Sequence, residues 1–348
     1  MTTQFPSATN VYIPDHEASG KLVVDFVSPK SRFQLNKYIQ MVDVQKQIGL
    51  YLKMGLDEAV RLVNADLSDF LWPDGAEQPD GKDGTNDFEF LQYDTKRMAY
   101  AFTLGNLTVD QATWDIVAQH AAIKAHQAMV ARTVKAVTAL TTSGNYDSTH
   151  TSTVAALTTS GYTWANSTSV RQTIKKSLNA AAEAILKDTN GVVQPEDLRL
   201  VLSPTLARAM SESQEIVDLV KQSPSAVQYL QSDGTFANKE SRFGLPSNLY
   251  GYEVVIENCV RNSARKGATA SRAFAIGSTV AVLCSRPGGL QGVAGAPSFS
   301  TATMFVKENL TVEKRDDVDN RRVQGRVVDD FAVVMTAPVS GYLFTACQ

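Results

Sequence analysis

The chain is short of the residues that most chemistry requires. It has four histidines, His16, His120, His126 and His150, in 348 residues. None falls in an HExxH or an i,i+4 pair, and His120 and His126 are six apart, so a helix turns them to different faces. No metal centre is expected. The three cysteines, Cys259, Cys284 and Cys347, form no CxxC pair. So sparse and odd a count excludes a disulfide framework and suits small core residues in a reducing compartment. There is no Gly-x-Ser-x-Gly elbow, P-loop or GxGxxG. Gly288, Gly289, Gly292 and Gly295 make a loose run that opens no helix, and read as a hinge. Ser203, between a strand-like run and Pro204, invites a nucleophile reading, but the position suits a helix cap better. No cofactor is expected.

A strong excess of either charge is missing too, with 33 Lys and Arg against 36 Asp and Glu. A net charge of −3 and a pI near 5.9 give no global pull towards nucleic acid. No apolar run reaches the length of a membrane span, and the first residues lack a basic segment followed by an apolar one, so no signal peptide is expected. The remaining composition, 43% hydrophobic and 20% charged, is that of a globular protein with room for about two domains. No repeat of fixed period occurs.

What is present is an unusually long helical stretch. From Thr108 to Leu140 neither Gly nor Pro intervenes. Thr108 and Gln111 are spaced as a capping box, and Asp110 and Asp115 lie near the positive end of the dipole. Val109, Ile116, Ile123, Val130 and Val137 recur every seven residues. The second row, Ala112, Gln119, His126, Thr133 and Leu140, is mostly polar. A strict coiled coil is thereby excluded, and a helix laid on a sheet is expected.

Around it stand segments with no core of their own. Residues 1–30 read as an extended arm broken by Pro6, Pro14 and Pro29. Residues 31–70 carry a helical pattern, and the stretch from Trp72 to Asn86 is polar and turn-rich. Phe88–Tyr93 and Met98–Leu104 read as the strands of a long hairpin that must lean on a neighbour. An Ala-rich helix capped by Ser169 runs to Lys187. Leu198–Ser203 is a buried-type strand, followed by short helices at Pro204 and at 214–222. Tyr252–Ile256 and Ala273–Leu283 are further strands, with a charged loop, Arg261 to Arg272, between them. The C-terminal part alternates again and contains a dense mixed-charge tip: Lys314, Arg315, Asp316, Asp317, Asp319, Arg321, Arg322 and Arg326. Mixed signs at one tip suit either a solvated hairpin or a self-complementary contact between copies.

Taken together, the order of parts resembles the major capsid proteins of tailed bacteriophages, the Hong Kong 97-type fold. Leu198-Arg-Leu-Val-Leu-Ser-Pro204 and Leu249-Tyr-Gly-Tyr-Glu-Val-Val-Ile256 are the segments most similar to that family. The resemblance implies an α+β chain divided into an N-terminal arm (1–50), an extended-loop region (51–107), a peripheral domain with the spine helix (108–168), an axial domain (169–290) and C-terminal peripheral strands (291–348). It implies a structural role in place of catalysis. Pentamers and hexamers would form an icosahedral head around double-stranded DNA, with scaffold, portal and cement proteins as further partners. The chain would be assembled in the host cytoplasm, contact the DNA weakly and non-specifically, and touch no membrane. The charged tip would then meet neighbours at three-fold positions, and Phe88, Phe90, Tyr93 and Lys96 would make the extended-loop contact. Lys82 and Lys96 lie near that loop, but nothing fixes an Asn partner for a crosslink, and none is carried over. An encapsulin-like compartment shell is the alternative within this fold. A soluble α/β hydrolase using Ser203 is the alternative outside it.

Overall fold

The computed structural model describes residues 33–54, 74–75, 88–112, 114–158, 161–222, 243–285 and 300–348. The expected arm before residue 33, the helical pattern beyond residue 54, most of the stretch from Trp72 to Asn86 with Lys82, the glycine run and the polar stretch 231–241 lie outside them.

The chain enters through a short helix, α1 (Leu35–Tyr38), followed by β1 (Gln40–Asp43) and β2 (Ile48–Met54). This corrects the helical reading of 31–54. Ile48, Leu50 and Leu52 alternate with Gly49, Tyr51 and Lys53, a period of two that the i,i+4 spacing of Ile48 and Leu52 conceals. The inner end of the expected arm is core: Leu35, Tyr38 and Ile39 are buried. The Tyr38 hydroxyl donates to Glu257 Oε2 at 2.9 Å, and the Arg199 guanidinium donates to the Lys37 carbonyl.

β3 (Phe88–Asp94) and β4 (Lys96–Gly105) follow, and they do not pair with each other. β3 pairs with β2, Ile48 opposite Asp94 and Met54 opposite Phe88, whereas β4 pairs with the C-terminal strands. The expected 88–104 hairpin is therefore a hairpin of β2 and β3 closed by residues 55–87. Both runs were strands, but alternation alone does not name a strand's partner.

The long helix is interrupted. α2 (Asn106–Gln111) stops at Ala112, and α3 runs from Ile116 to Thr141. Asp115 is the N-cap, its carboxylate accepting the Ala118 N–H at 2.9 Å, so the capping box at Thr108 is not used. Twenty-six residues give α3 a length of about 39 Å. At its far end Asn145 Nδ2 and the Tyr146 hydroxyl donate to the free carbonyls of Ala139 and Leu140, at 2.7 and 2.8 Å. The buried stripe is Ala128, Arg132, Thr133, Ala136, Val137 and Leu140; of the expected apolar row it keeps Val137, and of the second row Thr133 and Leu140, whereas Ile123 is 39% exposed. Only the C-terminal half lies in the core.

Beyond α3 come β5 (Thr151–Thr153), α4 (Val154–Thr158) and α5 (Thr173–Asp188). α5 begins at Thr173, with Gln172 left-handed before it and Ser169 unused as a cap. Its first amides are met by other groups: Ser167 Oγ accepts from Thr173, and Glu215 accepts from Ile174 and Lys175 at 3.0 and 3.1 Å. Its expected apolar face is buried at Ile174, Leu178, Ala181 and Ile185, about 1.5–3 kcal/mol for each large side chain. β6 (Leu198–Leu202), α6 (Pro204–Ser211), α7 (Gln214–Gln222), β7 (Asn248–Leu249) and β8 (Tyr252–Ile256) follow. β9 (Val260–Asn262) and β10 (Arg272–Phe274) form a hairpin where a loop was expected. β11 (Ala281–Ser285), β12 (Thr303–Asp317), β13 (Arg322–Val334) and β14 (Tyr342–Thr345) complete the chain.

Two larger sheets result. One has the order β1-β12-β13-β4, the other β5-β14-β11-β6-β8-β7. β14, among the residues assigned to the C-terminal peripheral strands, belongs to the second sheet. α3 packs on one face of the first sheet through Val137, Leu140, Met304, Val306 and Phe331. The β2–β3 ladder packs on the other, where Tyr93 stacks on Phe305 at 4.4 Å between ring centres and Tyr51 lies 5.7 Å away. The second sheet, α5 and α6 enclose the larger core around Trp164, Leu200 and Phe344. All three cysteines are buried, and burial pushes the Cys259 and Cys284 thiols up to about 12.

The helix is locked to the sheet by one ion pair. Arg132 donates from Nε to Asp329 Oδ2 at 2.7 Å and from Nη2 to Oδ1 at 2.5 Å. Both side chains are sealed from solvent, at 3% and 0% exposure, and the guanidinium lies 5.6 Å from the Phe331 ring centre. Arg132→Ala strands a buried carboxylate and is expected to cost about 3–5 kcal/mol, whereas Arg132→Met with Asp329→Leu should recover most of it. Urea unfolding of the two variants decides; a neutral Arg132→Ala would show that the pair is not the anchor.

Candidate functional site

Among the described residues no group of three or more His, Cys, Asp or Glu side chains is arranged to hold a metal ion. His120 stacks on Phe102 and His126 lies against Phe33, at 5.8 and 5.3 Å between ring centres. Ser203 Oγ accepts the Leu206 N–H at 3.2 Å as the cap of α6 and is fully buried. The hydroxyl is thus neither free nor reachable. The features that stand out are surfaces.

The first is the β12–β13 tip. β12 changes character at Leu310, whose φ of +40° accompanies register shifts between Val306 and Thr311. Before this bulge the strand is core; beyond it β12 is exposed from Thr311 to Asp316, while its partner β13 keeps Val323, Val327 and Val328 buried and pairs with β4 on its other side. Gly325 lets the ribbon lie on β4, since a Cβ there would collide with the Phe102 ring. Most of the predicted charges pair within the tip. Arg322 Nε reaches Asp317 Oδ2 at 2.7 Å, Arg326 Nε reaches Glu313 Oε2 at 2.5 Å, and Lys314 Nζ lies 3.7 Å from Asp316. Hydrogen bonds from Asn320, then from Arg322, hold the Asp317 carboxyl below the usual carboxylate range. As solvent-exposed pairs they contribute little to stability. Among the described residues Arg315, Asp319 and Arg321 have no such pair, and Arg321 sits in a left-handed turn with φ +48°. Beside these charges Val318 and Leu107 are 80% and 67% exposed.

The second surface is the outward face of the β2–β3 ladder. Tyr51, Leu91 and Tyr93 face the sheet, so Ile48, Leu50 and Phe90 face away, at 56%, 66% and 66% exposure. Of the four predicted extended-loop residues, Phe90 lies on this face. Tyr93 does not: its ring anchors the ladder to Phe305, which corrects its expected role, because alternate residues of one strand face opposite ways. Lys96 is exposed but lies in β4, opposite Phe331. Phe88 is placed by its backbone alone, opposite Met54. Ile48 and Leu50 were missed because their strand was read as helix.

No family model matches the chain. No curated protein is similar to it in sequence. Solved structures are similar in fold. A phage-related protein from Bordetella bronchiseptica RB50 superposes with a TM-score of 0.60 at 16% identity, covering 92% of this chain and 94% of that one. The capsid of the cyanophage P-SCSP1u gives 0.53 at 9% identity, covering 94% of each chain. The holo-SrpI encapsulin complex from Synechococcus elongatus PCC 7942 gives 0.52 at 9% identity, covering 96% of each. At these identities the likeness is one of fold. The chain has an α+β fold shared over nearly its whole length with these structures.

The tip makes a pH prediction. A carboxyl whose pKa is lowered on folding contributes above its unfolded pKa, about 3.9, and loses that contribution as pH falls through its lower folded value. The Asp317–Arg322 contact is therefore expected to persist at pH 5 and to break only below the ordinary carboxylate range. Titration of the Arg322 Nε–H resonance checks this; a transition near pH 5 would contradict it.

Proposed function

We propose that this chain is the major capsid subunit of a tailed bacteriophage, building pentamers and hexamers of an icosahedral head around double-stranded DNA. The observation that supports the reading is a fold shared with capsid proteins over nearly the whole chain, joined to surfaces that the other described residues leave exposed. Ile48, Leu50 and Phe90 form an apolar stripe on a projecting ladder, and Val318 and Leu107 lie at a charged tip. In a lone subunit such segments are ordered with little burial in return. In a shell, neighbouring copies supply the missing surface.

The domain division set out from the sequence, 1–50, 51–107, 108–168, 169–290 and 291–348, belongs to this reading. So do the roles of the tip at three-fold positions and of the ladder as the extended-loop contact. The site of action is the virion capsid, assembled in the host cytoplasm with scaffold, portal and cement proteins. A mildly negative subunit suits a container that holds DNA only by weak, non-specific contact. Among the described residues no helix is long and apolar enough to cross a membrane. The role proposed is structural and involves no catalysis. The fold likeness to the encapsulin complex favours a second reading, a compartment shell of cellular origin. DNA or a cargo enzyme inside purified particles separates the two.

Light scattering with negative-stain imaging of the purified protein tests the proposal. Closed shells, or rings of five and six, are expected; a protein that stays monomeric with its scaffold supplied would refute it. Reversing Arg321 and Arg322 would disturb the tip itself, because Arg322 is held by Asp317. Arg315→Glu with Arg321→Glu touches only the uncommitted charges. It is expected to leave the circular dichroism unchanged and to reduce the shell yield. Normal shells from that variant would remove the tip from the contact.

A further inference from the structure

Charge is unevenly placed along this chain. The net charge is −3, yet from Asn258 to Ser285 there are four cations and no carboxylate. All four, Arg261, Arg265, Lys266 and Arg272, are exposed on the β9–β10 hairpin. Among the described residues none of them is in an ion pair. Cations elsewhere are balanced: Lys187 lies 2.8 Å from Glu183, Arg208 lies 3.9 Å from Glu212, and Arg322 and Arg326 are held at the β12–β13 tip. The hairpin is also well fixed. Asn262 Oδ1 accepts the Ala264 and Ser271 N–H groups at 3.1 and 2.9 Å, and the Ser263 N–H donates to Ser271 O at 2.9 Å. At its tip the Ala268 N–H donates to Arg265 O at 3.1 Å, and Gly267, at φ +88°, takes the turn position that needs a left-handed residue. At its root the Ala275 N–H donates to Cys259 O at 2.8 Å, and the Cys259 thiol is bonded to Thr133 of α3.

The placement of the charges selects the partner. Arg272 lies on one side of the ladder with Val260 and Phe274, Arg261 lies on the other with Ala273, and Arg265 and Lys266 lie at the turn. Val260 and Phe274 are directly opposite each other, a cross-strand pair that holds the two strands together. A protein partner would dock on one face and bury an apolar centre rimmed by polar groups. Here the cations stand on both sides and at the end of a narrow projection, with no acid among them. That distribution suits a polyanion whose charges repeat along a line, because a phosphate backbone is met by Lys and Arg whatever its sequence. We infer that the β9–β10 hairpin is a phosphate-binding finger, the element through which the subunit touches packaged double-stranded DNA. The inference rests on the shell reading and names the part of the chain that makes its weak, non-specific contact. It also reconciles that contact with a subunit of negative net charge, since the cations are concentrated at one projection.

Two full-length variants of equal charge test it. One carries Arg261→Ala, Arg265→Ala, Lys266→Ala and Arg272→Ala. The other removes four exposed cations of α5 and α6, as Lys175→Ala, Lys176→Ala, Lys187→Ala and Arg208→Ala. Binding of a labelled random-sequence DNA duplex to the purified subunit is followed by fluorescence anisotropy over a range of salt, with circular dichroism as the folding control. The hairpin variant is expected to bind about tenfold or more weakly at low salt, and the slope of log affinity against log salt should fall by about 3 to 4. The α5–α6 variant should bind as the unaltered chain does. Equal loss in both variants would show that net charge governs and would overturn the inference. So would unchanged binding by the hairpin variant, or no binding by the unaltered chain. A hairpin variant that keeps its DNA affinity but no longer assembles would make the hairpin a protein contact, and the inference would fall. Failure of the unaltered protein to form any shell would count against the shell reading itself, while the duplex titration still decides the hairpin.

Discussion

The structure depends on the buried pair of Arg132 and Asp329. A bare carboxylate in the core would cost several kcal/mol, and so would a bare guanidinium. Each is tolerable only because the other meets it through two parallel hydrogen bonds. The demand for that geometry sets the register of α3 on β13. Above the pair, the small side chains Ala128 and Ala136 let the helix lie close to the sheet. Below it, Phe331 takes the guanidinium on its ring. One helix is thus fixed at one end while its N-terminal half runs out over the projecting strands.

Everything that projects is anchored by a contact of the same economy. The β2–β3 ladder is held by Tyr51 and Tyr93 on Phe305. The β12–β13 ribbon is held by Phe102 lying on Gly325, beyond a bulge at Leu310. The inner arm is held by Tyr38 on Glu257, whose carboxyl burial pushes up. In each case an aromatic ring fastens the root of the segment, and on the ladder and the ribbon Ile48, Leu50, Phe90, Val312 and Val318 are left exposed among the described residues. These exposed apolar faces are the observation on which the proposed shell role rests.

Much of this was legible in the sequence, and the failures have physical causes. α5 was readable because its period of 3.6 coincides with burial from Ile174 to Ile185, and β6 because a short, nearly continuous apolar run marks a strand buried on both faces, as Leu198–Leu202 is. The long helix was readable as an element but not in its contacts, since Arg132 is hidden among surface-type residues until Asp329, 197 positions away, is brought to it. Its start was misplaced because Thr108 has capping chemistry, whereas Asp115 has the cap. β2 was read as helix because Ile48 and Leu52 fit both periods. Strand partners were not legible at all: β3 and β4 are neighbours in sequence and belong to different ladders. The charged tip was legible as a cluster, yet which charges are spent inside it, on Asp317 and Glu313, and which remain free, at Arg315, Asp319 and Arg321, follows only from register.

The central claim is that copies of the chain cover what the chain leaves bare. Hydrogen exchange by mass spectrometry, comparing free capsomers or subunits with closed shells, measures this directly. The account predicts that amides of β2, β3 and the outer halves of β12 and β13 slow by about tenfold or more on assembly, while β6 and β11, already inside the core, stay unchanged. Equal exchange of those outer strands in subunits and shells would contradict it.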